Sequence, residues 1–221
     1  TVPDPTTCVD ALAALAEAGV GVPGPARAVL AAGGAQPRPA TAAGVTPRSA
    51  PLLVIADGAI AARGAAAAAA ARGIRARVGS TGVEGEARAV GDRLAADARR
   101  LDRGEMVVAA GETTVTVTGP GRGGRNQEVA LAAGIALANG REDALVASFA
   151  TDGVDGSTDA AGGIGDAGTV ARGRDHSRDA AAALRSNDSY PYLAALGDLL
   201  RCGPTGTNVG DLMLTYRPRR R

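Results

Sequence analysis

Residues 51–78 read PLLVIADGAIAARGAAAAAAARGIRARV, and this stretch decides the fold class that the sequence predicts. Leu52–Ala56 is a short apolar run, Asp57-Gly58 is a turn signal, Ala59–Arg72 is an Ala-rich helical segment and Ile74–Val78 is a second apolar run. A strand, a helix and a strand in this order favour two parallel strands joined by a crossover.

The same alternation of strands and helices continues downstream, with one strand that differs. A helix is predicted over Val83–Leu101 and a third strand over Met106–Ala110. In Thr113–Thr118, Val115 and Val117 alternate with threonines, which is typical of a strand with one solvent-exposed face. The remaining predicted helices and strands are Asn126–Ala138, Gly168–Arg174, Asp179–Arg185 and Tyr192–Leu199 as helices, and Ala144–Ala150 and Leu212–Tyr216 as strands. The predicted fold class is α/β, with a mixed, mostly parallel sheet flanked by helices.

The residues before this α/β region have a different organisation. Two short helices, Thr7–Gly19 and Pro23–Ala32, are followed by Gly33–Ser49, which is rich in Gly, Ala, Pro, Thr and Arg and has no periodicity. Such a composition is typical of a linker or a surface crossing. We therefore predict a boundary that separates residues 1–48 from an α/β domain at 49–221.

Composition limits the classes of function. The chain has 221 residues and 45% hydrophobic residues, enough for a buried core, but only 2% aromatic residues, so close packing of Ala-rich helices has to replace bulky side chains. All 24 basic residues are Arg. A Walker-type phosphate loop and Lys-based catalysis from within this chain are therefore excluded.

Charge, cysteine content and hydropathy narrow the classes further. The net charge of +1 gives no overall field that would attract nucleic acid or an anionic membrane. No apolar run approaches the roughly 18 residues of a membrane helix. Cys8 and Cys202 are far apart and His176 is the only histidine, so zinc is not indicated and reduced thiols in a cytoplasmic protein are expected. Because the chain begins Thr1-Val2-Pro3 with neither Met nor a signal sequence, we expect a fragment.

A first polar loop, residues 119–128, follows a predicted strand and opens a helix. Its backbone N–H groups and the helix dipole are expected to face an incoming anion, and Arg122 and Arg125 add positive charge. Gly119, Gly121 and Gly124 also satisfy the G-x-G-x-x-G dinucleotide pattern. The preceding Thr/Val alternation argues against that interpretation, and a glycine-rich hairpin exit remains the alternative.

A second loop, residues 151–162, contains three carboxylates directly after the apolar strand Ala144–Ala150: Asp152, Asp155 and Asp159. Ligand crevices in open α/β sheets lie at the carboxyl ends of strands. The spacing does not match an EF-hand, whereas carboxylates near phosphate-binding loops suit Mg²⁺ or a hydroxyl-bearing substrate. Asx turns are the alternative, because Asp before Gly is common in tight turns.

A third loop, residues 203–211, is dense in hydroxyl, amide and backbone donors and is suited to forming an anion-binding nest. Asn187-Asp188-Ser189 precedes a predicted helix, where it would serve as an N-cap or as part of a site. Glu112, at the junction of two predicted strands, is either an edge charge or a ligand contact.

Five motifs in this order make the sequence recognisable: Gly111-Glu112-Thr113-Thr114-Val115, Gly123-Gly124-Arg125-Asn126-Gln127-Glu128, Thr151-Asp152-Gly153, Asn187-Asp188-Ser189-Tyr190 and Gly203-Pro204-Thr205-Gly206-Thr207-Asn208. Together they resemble the C-terminal MOFRL domain of the class II D-glycerate 2-kinases, proteins that are often called hydroxypyruvate reductases. The resemblance covers about half of the chain, at about residues 105–216. The first seven residues also resemble the end of that family's N-terminal domain.

The resemblance implies ATP-dependent, Mg²⁺-assisted phosphorylation of the 2-hydroxyl of D-glycerate. The reaction would take place in a cleft between a Rossmann-like N-terminal domain and this one, so that residues 1–48 are a remnant of the former plus a linker. Phosphoryl transfer depends on positioning and charge neutralisation, which fits loops of this composition.

The resemblance also suggests roles for individual residues. Arg125 is assigned to the substrate carboxylate or the transferring phosphoryl group, with Asp152 as a second catalytic residue. Asp152 and Asp155 are the candidate metal or hydroxyl contacts. The remaining candidates for binding substrate or nucleotide are Glu112, Gly124, Asn126, Thr158, Asn187, Asp188, Ser189, Thr205, Gly206, Thr207 and Asn208.

Two departures from the family pattern leave other hypotheses open. The chain lacks the active-site Lys of the family's N-terminal domain, so we expect it to need that domain for activity, and Asp57-Gly58 stands where the family usually has Ser-Asn. A nicotinamide-dependent hydroxypyruvate reductase and a non-catalytic binding module are the alternatives. The expected partners are glycerate and the N-terminal domain, without nucleic acid or membrane, and self-association is left open.

Overall fold

The structure is a computed structural model and is described here for residues 6–34, 53–138, 140 and 143–219. It divides into two compact units, residues 1–53 and 54–221. In the described part of the first unit, α1 (Cys8–Glu17) and α2 (Gly24–Gly33) pack together. Thr7 and Asp10 form a reciprocal capping box at the start of α1, which satisfies N–H groups that a helix N-terminus otherwise leaves unpaired.

The second unit is an α/β structure. Its helices are α3 (Gly58–Ala70), α4 (Ala87–Arg100), α5 (Arg125–Leu137), α6 (Thr169–Asp175), α7 (Ala180–Arg185) and α8 (Ser189–Leu196). Its strands are β1 (Arg75–Val78), β2 (Glu105–Gly111), β3 (Leu145–Ala150), β4 (Gly162–Asp166), β5 (Leu199–Leu200) and β6 (Asp211–Arg217). The predicted helices are confirmed, with their ends shifted by a few residues.

Among the described residues, the strands form one sheet in the order β1-β2-β6-β3-β4-β5. Only β1 and β2 pair in parallel, and every other neighbouring pair is antiparallel. The prediction of a mixed sheet is confirmed, but the prediction that it is mostly parallel is wrong. The reason is β6, the last strand, which inserts between β2 and β3. These two strands run in the same direction, as their helical crossover requires, yet each of them pairs with β6 instead.

Two predicted strands are absent from the sheet. Leu52 lies outside the described residues, and 53–56 forms no strand and is exposed. Thr113–Thr118 makes only an isolated parallel bridge, between Glu86 and Thr114, because its backbone hydrogen bonds go to residues 85–87 and, from Thr118, to Asn187 rather than to a sheet strand. The Thr/Val alternation does describe an extended segment, but not a member of the sheet.

Strand β4 was missed because its sequence, GGIGD, has little strand propensity. Its glycines are explained by close packing. A Cβ on Gly165 would overlap the carbonyl oxygen of Ala130 in α5, and one on Gly162 would overlap that of Ser148 in β3. The backbone of α5 therefore lies directly against β4, which the sequence could not show without knowing the partner.

Helices cover both faces of the sheet. Helix α3 packs Ala62 and Ala66 against Val108, Ala110 and Leu212 on one face. On the other face, α4 and α5 pack against the core of β2, β3 and β6, and α5 is almost entirely buried because α7 and α8 pack on its outer side. Gly91 allows α4 to approach the backbone of α5, as expected of a core poor in aromatic side chains.

No helix within the described residues has the length and apolar character that crossing a bilayer requires. Cys8 is buried, Cys202 is exposed, and neither is in a disulfide.

Candidate functional site

The three loops meet at one edge of the sheet because of the strand register. Gly111 at the end of β2 and Ala150 at the end of β3 both pair with Asp211 at the start of β6. The first loop ends at the N-terminus of α5, which begins at this same edge. The three loops therefore lie at one edge of the sheet, which contains the carboxyl ends of β2 and β3 and the amino end of β6.

Arg125 is the best-fixed cation of this edge. Its Nε and Nη2 donate to the two carboxylate oxygens of Asp211 at 2.6 and 2.9 Å, and Nη2 also lies 3.2 Å from Oε1 of Glu112. The Asp211 side chain is fully buried, whereas the Glu112 side chain is 66% exposed. The hydrogen bonds that Arg125 donates to Asp211 raise the pKa of Arg125, against an opposing effect of burial. Asp211 thus orients the guanidinium, whereas the exposed Glu112 is a contact of Arg125 that a ligand can displace.

Asp211 was not among the predicted site residues, although it closes the third loop. The available signal was an isolated acid at the start of an apolar strand. A carboxylate at such a position needs a cationic partner when it is buried. The sequence could not show that the partner would be Arg125, 86 residues away.

The N-terminus of α5 is already occupied, which corrects the expectation that it faces an incoming anion. Oδ1 of Asp155 accepts from the backbone N–H of Asn126 at 3.1 Å and from its Nδ2 at 3.3 Å, and Oδ2 accepts from the backbone N–H of Gln127 at 2.9 Å. Gln127 also donates to Thr158 Oγ at 2.9 Å. Burial raises the pKa of Asp155, and the two backbone hydrogen bonds oppose this shift. The second loop therefore supplies the cap of the helix that the first loop opens.

Asn187 ties the first loop to the segment before α8. Its Oδ1 accepts from the backbone N–H groups of Thr118 and Gly119 at 2.8 and 2.9 Å, and its Nδ2 donates to Oε1 of Glu128 at 2.6 Å. Asn187 adopts a φ of 55°, in the left-handed region that Asn tolerates better than most residues. Asn187 is thus a link between segments rather than a helix cap.

The two residues after Asn187 also contact the first loop. Asp188 occupies the N-cap position of α8 without a side-chain cap bond, and its Oδ1 accepts instead from the backbone N–H of Arg122 at 2.9 Å. Ser189 is fully buried, and its Oγ has no hydrogen-bond partner among the described residues. The structure therefore places residues 187–189, all of them predicted site residues, against the first loop.

The second and third loops are joined by hydrogen bonds. Thr205 Oγ donates to the carbonyl of Thr151 at 2.6 Å, and Asn208 Nδ2 donates to Oδ2 of Asp152 at 3.3 Å. Thr151 Oγ donates to the carbonyl of Gly210 at 2.7 Å. Thr207 and Gly206 lie in the exposed part of this loop, and Gly206 has a φ of 78°. The predicted residues Asp152 and 205–208 thus form one polar surface.

A cluster beside this surface was missed by sequence reasoning. Tyr190 OH donates to Asp159 at 2.5 Å, Arg201 contacts the same carboxylate at 3.3 Å, and the guanidinium of Arg122 lies 4.3 Å from the Tyr190 ring centre. The hydrogen bond from Tyr190 lowers the pKa of Asp159. The cluster links the first and second loops to α8.

The carboxylates of the described residues do not form a metal cage. No group of three His, Cys, Asp or Glu side chains is arranged to hold a metal ion there. Both oxygens of Asp155 are committed to α5, whereas Asp152 is half-buried and bonded to Val154 N–H at 3.0 Å and to Asn208. Mg²⁺ commonly uses one or two carboxylates together with substrate phosphates. Asp152 fits such a role better than Asp155, for which the metal role remains a prediction.

Two cavities open at this edge. One, of about 600 Å³, is lined by Glu112, Val209, Gly210 and residues 81–85, and reaches Gly58 at the start of α3. The other, of about 430 Å³, is lined by Arg125, Glu128, Asn187 and the glycines of the first loop, with Thr113, Val115 and Val117. Both volumes lie within the range of small-molecule sites.

Comparison with known proteins agrees with the motifs. Residues 105–211 match the MOFRL family. Over 153 residues the chain is 43% identical to a D-glycerate 2-kinase of Thermotoga maritima, an alignment that covers 66% of this chain and 36% of that protein. It is 38% identical over 221 residues to an Agrobacterium vitis protein that carries hydroxypyruvate reductase in its name, covering 96% of this chain and 49% of the other.

A solved structure shows the same fold. The crystal structure of a glycerate kinase from Thermotoga maritima superposes with a TM-score of 0.73 at 33% identity, covering 97% of this chain and 51% of that one. The chain thus spans about half the length, or less, of the relatives it matches. Residues 105–211 thus belong to the MOFRL family, and the chain is a homologue of part of the glycerate 2-kinases.

Proposed function

We propose that this chain forms one wall of the active site of an ATP-dependent, Mg²⁺-assisted kinase that converts D-glycerate to 2-phosphoglycerate. The observation that carries the proposal is Arg125, held by two hydrogen bonds to the buried Asp211 at the edge where the three loops meet. The names of the relatives support the substrate and the reaction.

The arrangement suits phosphoryl transfer, which requires positioning and stabilisation of negative charge more than covalent chemistry. A ligand is not expected to replace Asp211 as the partner of the guanidinium, because separating that buried carboxylate from Arg125 would be unfavourable. The contact with Glu112 is exposed and single, so an incoming carboxylate or phosphoryl oxygen can replace it. We assign Arg125 to that anion, with Glu112 as the group it displaces.

The polar surface of Asp152 and 205–208 is the proposed position for phosphates or substrate hydroxyls. Asp152 is the carboxylate we assign to a substrate hydroxyl or to Mg²⁺, which would neutralise phosphate charge when bound. Thr205 and Asn208 already hold the second and third loops together. A ligand there meets a prepared loop pair instead of having to order it, which lowers the entropic cost of binding.

The rest of the cleft would come from another domain. The relatives are about twice as long as the aligned region. The family resemblance implies that a Rossmann-like domain with the active-site Lys forms the opposite wall. We propose that residues 1–48 belong to that domain and its linker, that 49–221 is the domain described here, and that this chain is inactive without the other part.

A reductase is the second candidate, because one relative has that name and Gly119, Gly121 and Gly124 match the dinucleotide pattern. Packing accounts for these glycines differently. A Cβ on Gly119 or Gly121 would overlap Ser186, and one on Gly124 would overlap the carboxylate of Asp155. In a dinucleotide site the glycines serve the approach of a pyrophosphate. The kinase is therefore the better supported of the two.

The experiment that separates the two uses the longest open reading frame that contains this chain, purified next to the chain itself. We expect ADP release that depends on D-glycerate from the longer protein, and no oxidation of NADH by hydroxypyruvate. NADH oxidation without ADP release would replace the kinase by the reductase. Neither activity, with no change in ATP or glycerate binding for Arg125→Ala, would favour a non-catalytic binding module.

A further inference from the structure

Residues 112–117 separate the two cavities, and successive side chains face different ones. Glu112 and Thr114 line the 600 Å³ cavity, whereas Thr113, Val115 and Val117 line the 430 Å³ cavity. The alternation that predicted a half-exposed strand thus separates a cavity with two acidic lining residues, Glu84 and Glu112, from a partly apolar one. Arg125 lies at their junction, since it lines the smaller cavity and contacts Glu112 of the larger one.

The smaller cavity is close to neutral inside. Its charged lining residues are Arg125 and Glu128, and both are compensated. Arg125 is paired with Asp211 and Glu112, and Glu128 accepts from Arg88 Nε at 3.0 Å and from Asn187 Nδ2. Away from Arg125, the lining therefore offers no cation to a triphosphate or a free carboxylate. The cavity suits an uncharged group instead.

The walls of this cavity are partly apolar. Val117 is 74% exposed and Val115 is half-buried, so two valines present apolar surface to it. The glycines contribute peptide groups, because the Cβ positions of Gly121 and Gly123 would point into Ser186 and Ser189 rather than into the opening. A peptide wall and an apolar wall are suited to a planar, amphipathic ligand.

One polar group in the cavity lining has no partner. Thr113 is 3% exposed and lines the cavity, yet its Oγ makes no hydrogen bond with any residue the structure describes. A buried hydroxyl without a partner is unfavourable by about 1–3 kcal/mol. Because the hydroxyl itself is enclosed, a ligand with ring nitrogens or an exocyclic amine satisfies it only when the Thr113 side chain rotates toward the cavity.

We infer that the cavity of Thr113, Val115, Val117 and the first-loop glycines binds the nucleobase of the phosphoryl donor. The inference deepens the proposed kinase function and rests on it. The adenine ring lies between the valines and the Gly121–Gly124 backbone. The phosphates extend from the base toward Arg125, at the junction of the two cavities.

The test is Val117→Glu in the longest open reading frame that contains this chain. Val117 is exposed, so the variant is expected to fold, which circular dichroism verifies. The new carboxylate would be buried against the base, and we expect the KM for ATP to rise about tenfold or more. The Ki of adenosine, which carries the base without phosphates, should rise by the same factor, and the KM for D-glycerate should change by less than about twofold. Val29→Glu, in α2, is the matched control, because Val29 is 71% exposed and lines neither cavity.

Three results would overturn the inference while leaving the kinase intact. They are an unchanged KM for ATP in Val117→Glu, a rise confined to the KM for glycerate, and no competition between adenosine and ATP in the wild type. If the wild type neither binds ATP nor phosphorylates glycerate, the proposed function fails and the nucleobase site fails with it.

Discussion

The guanidinium of Arg125 and the carboxylate of Asp211 form two parallel hydrogen bonds, of 2.6 and 2.9 Å, across the edge where the first and third loops meet. The two partners differ in exposure, since the side chain of Asp211 is fully buried and that of Arg125 is 31% exposed. This difference makes the pair asymmetric. Removing the arginine leaves a buried carboxylate without a partner, whereas removing the aspartate leaves a cation that water can reach.

We therefore predict that Arg125→Met lowers the free energy of unfolding by about 3 kcal/mol and Asp211→Asn by about 1 kcal/mol. Urea denaturation at neutral pH measures both. Arg100→Ala is the control, because its pair with Asp97 is exposed on both sides and should contribute less than about 0.5 kcal/mol. Equal losses for the two substitutions would contradict the asymmetry.

Asn187 is predicted to hold the first loop through its side chain. Asn187→Ala removes the acceptor of the Thr118 and Gly119 N–H groups, and we expect a loss of about 2 kcal/mol together with faster amide exchange at these two residues. The amides of Asn126 and Gln127 serve as the internal control, because Asp155 holds them. Hydrogen–deuterium exchange followed by NMR is the measurement, and uniform acceleration at all four amides would show that Asn187 has no such local role.

Gly153 is predicted to tolerate no side chain because of its close contact with another loop. Gly206, which has a similar φ but no such contact, serves as the comparison. Its φ is +89°, and a Cβ would overlap the carbonyl oxygen of Gly203, so Gly153→Ala should destabilise by more than about 2 kcal/mol. Gly206 has a φ of +78° but open space around it, so Gly206→Ala should cost only about 1 kcal/mol. Thermal unfolding measures the stability of both variants. A similar loss of stability in each would mean that backbone strain, and not the contact between the loops, causes the loss in Gly153→Ala.

Asp155 gives a prediction for pH. Burial raises the pKa of Asp155 in the folded protein above the usual value for an aspartate, so the protonated form is the one that folding favours. The stability this group contributes is therefore fully present below the unfolded pKa and is lost as the pH rises through the folded pKa. The difference in unfolding free energy between the wild type and Asp155→Asn should fall as the pH rises from the unfolded pKa through the raised folded pKa, and then stay constant. A difference that grows with pH would mean that the hydrogen bonds from Asn126 and Gln127 outweigh burial.

The sequence predicted those parts of the molecule that depend on local pattern. The helices follow from apolar spacing and glycine stops, and the gathering of the loops follows from the polar residues at strand ends. Strand direction was predicted less well, because nothing in Asp211–Arg217 shows that it inserts between β2 and β3. Strand β4 was not predicted, because its glycines are required by the close approach of the α5 backbone and follow no strand pattern.

The site was predictable in composition but not in pairing. Arg125, Asp152, Asn187 and 205–208 were all candidates, and the structure places them at one edge of the sheet. That Asp155 caps α5 and that Asp211 fixes Arg125 depend on contacts between residues 28 and 86 positions apart. Such contacts are set by the tertiary fold, and no single-sequence pattern reports them.

The most direct test of the central claim is the rate of ATP-dependent D-glycerate phosphorylation by the longest open reading frame that contains this chain, compared between the wild type and Arg125→Lys. Lys keeps the charge but cannot form the two parallel hydrogen bonds to Asp211. We predict that the wild type forms 2-phosphoglycerate and that Arg125→Lys, shown to be folded, loses about 100-fold or more in kcat/KM for glycerate. A wild type that does not phosphorylate glycerate, or a folded Arg125→Lys variant with unchanged kcat/KM, would contradict the claim.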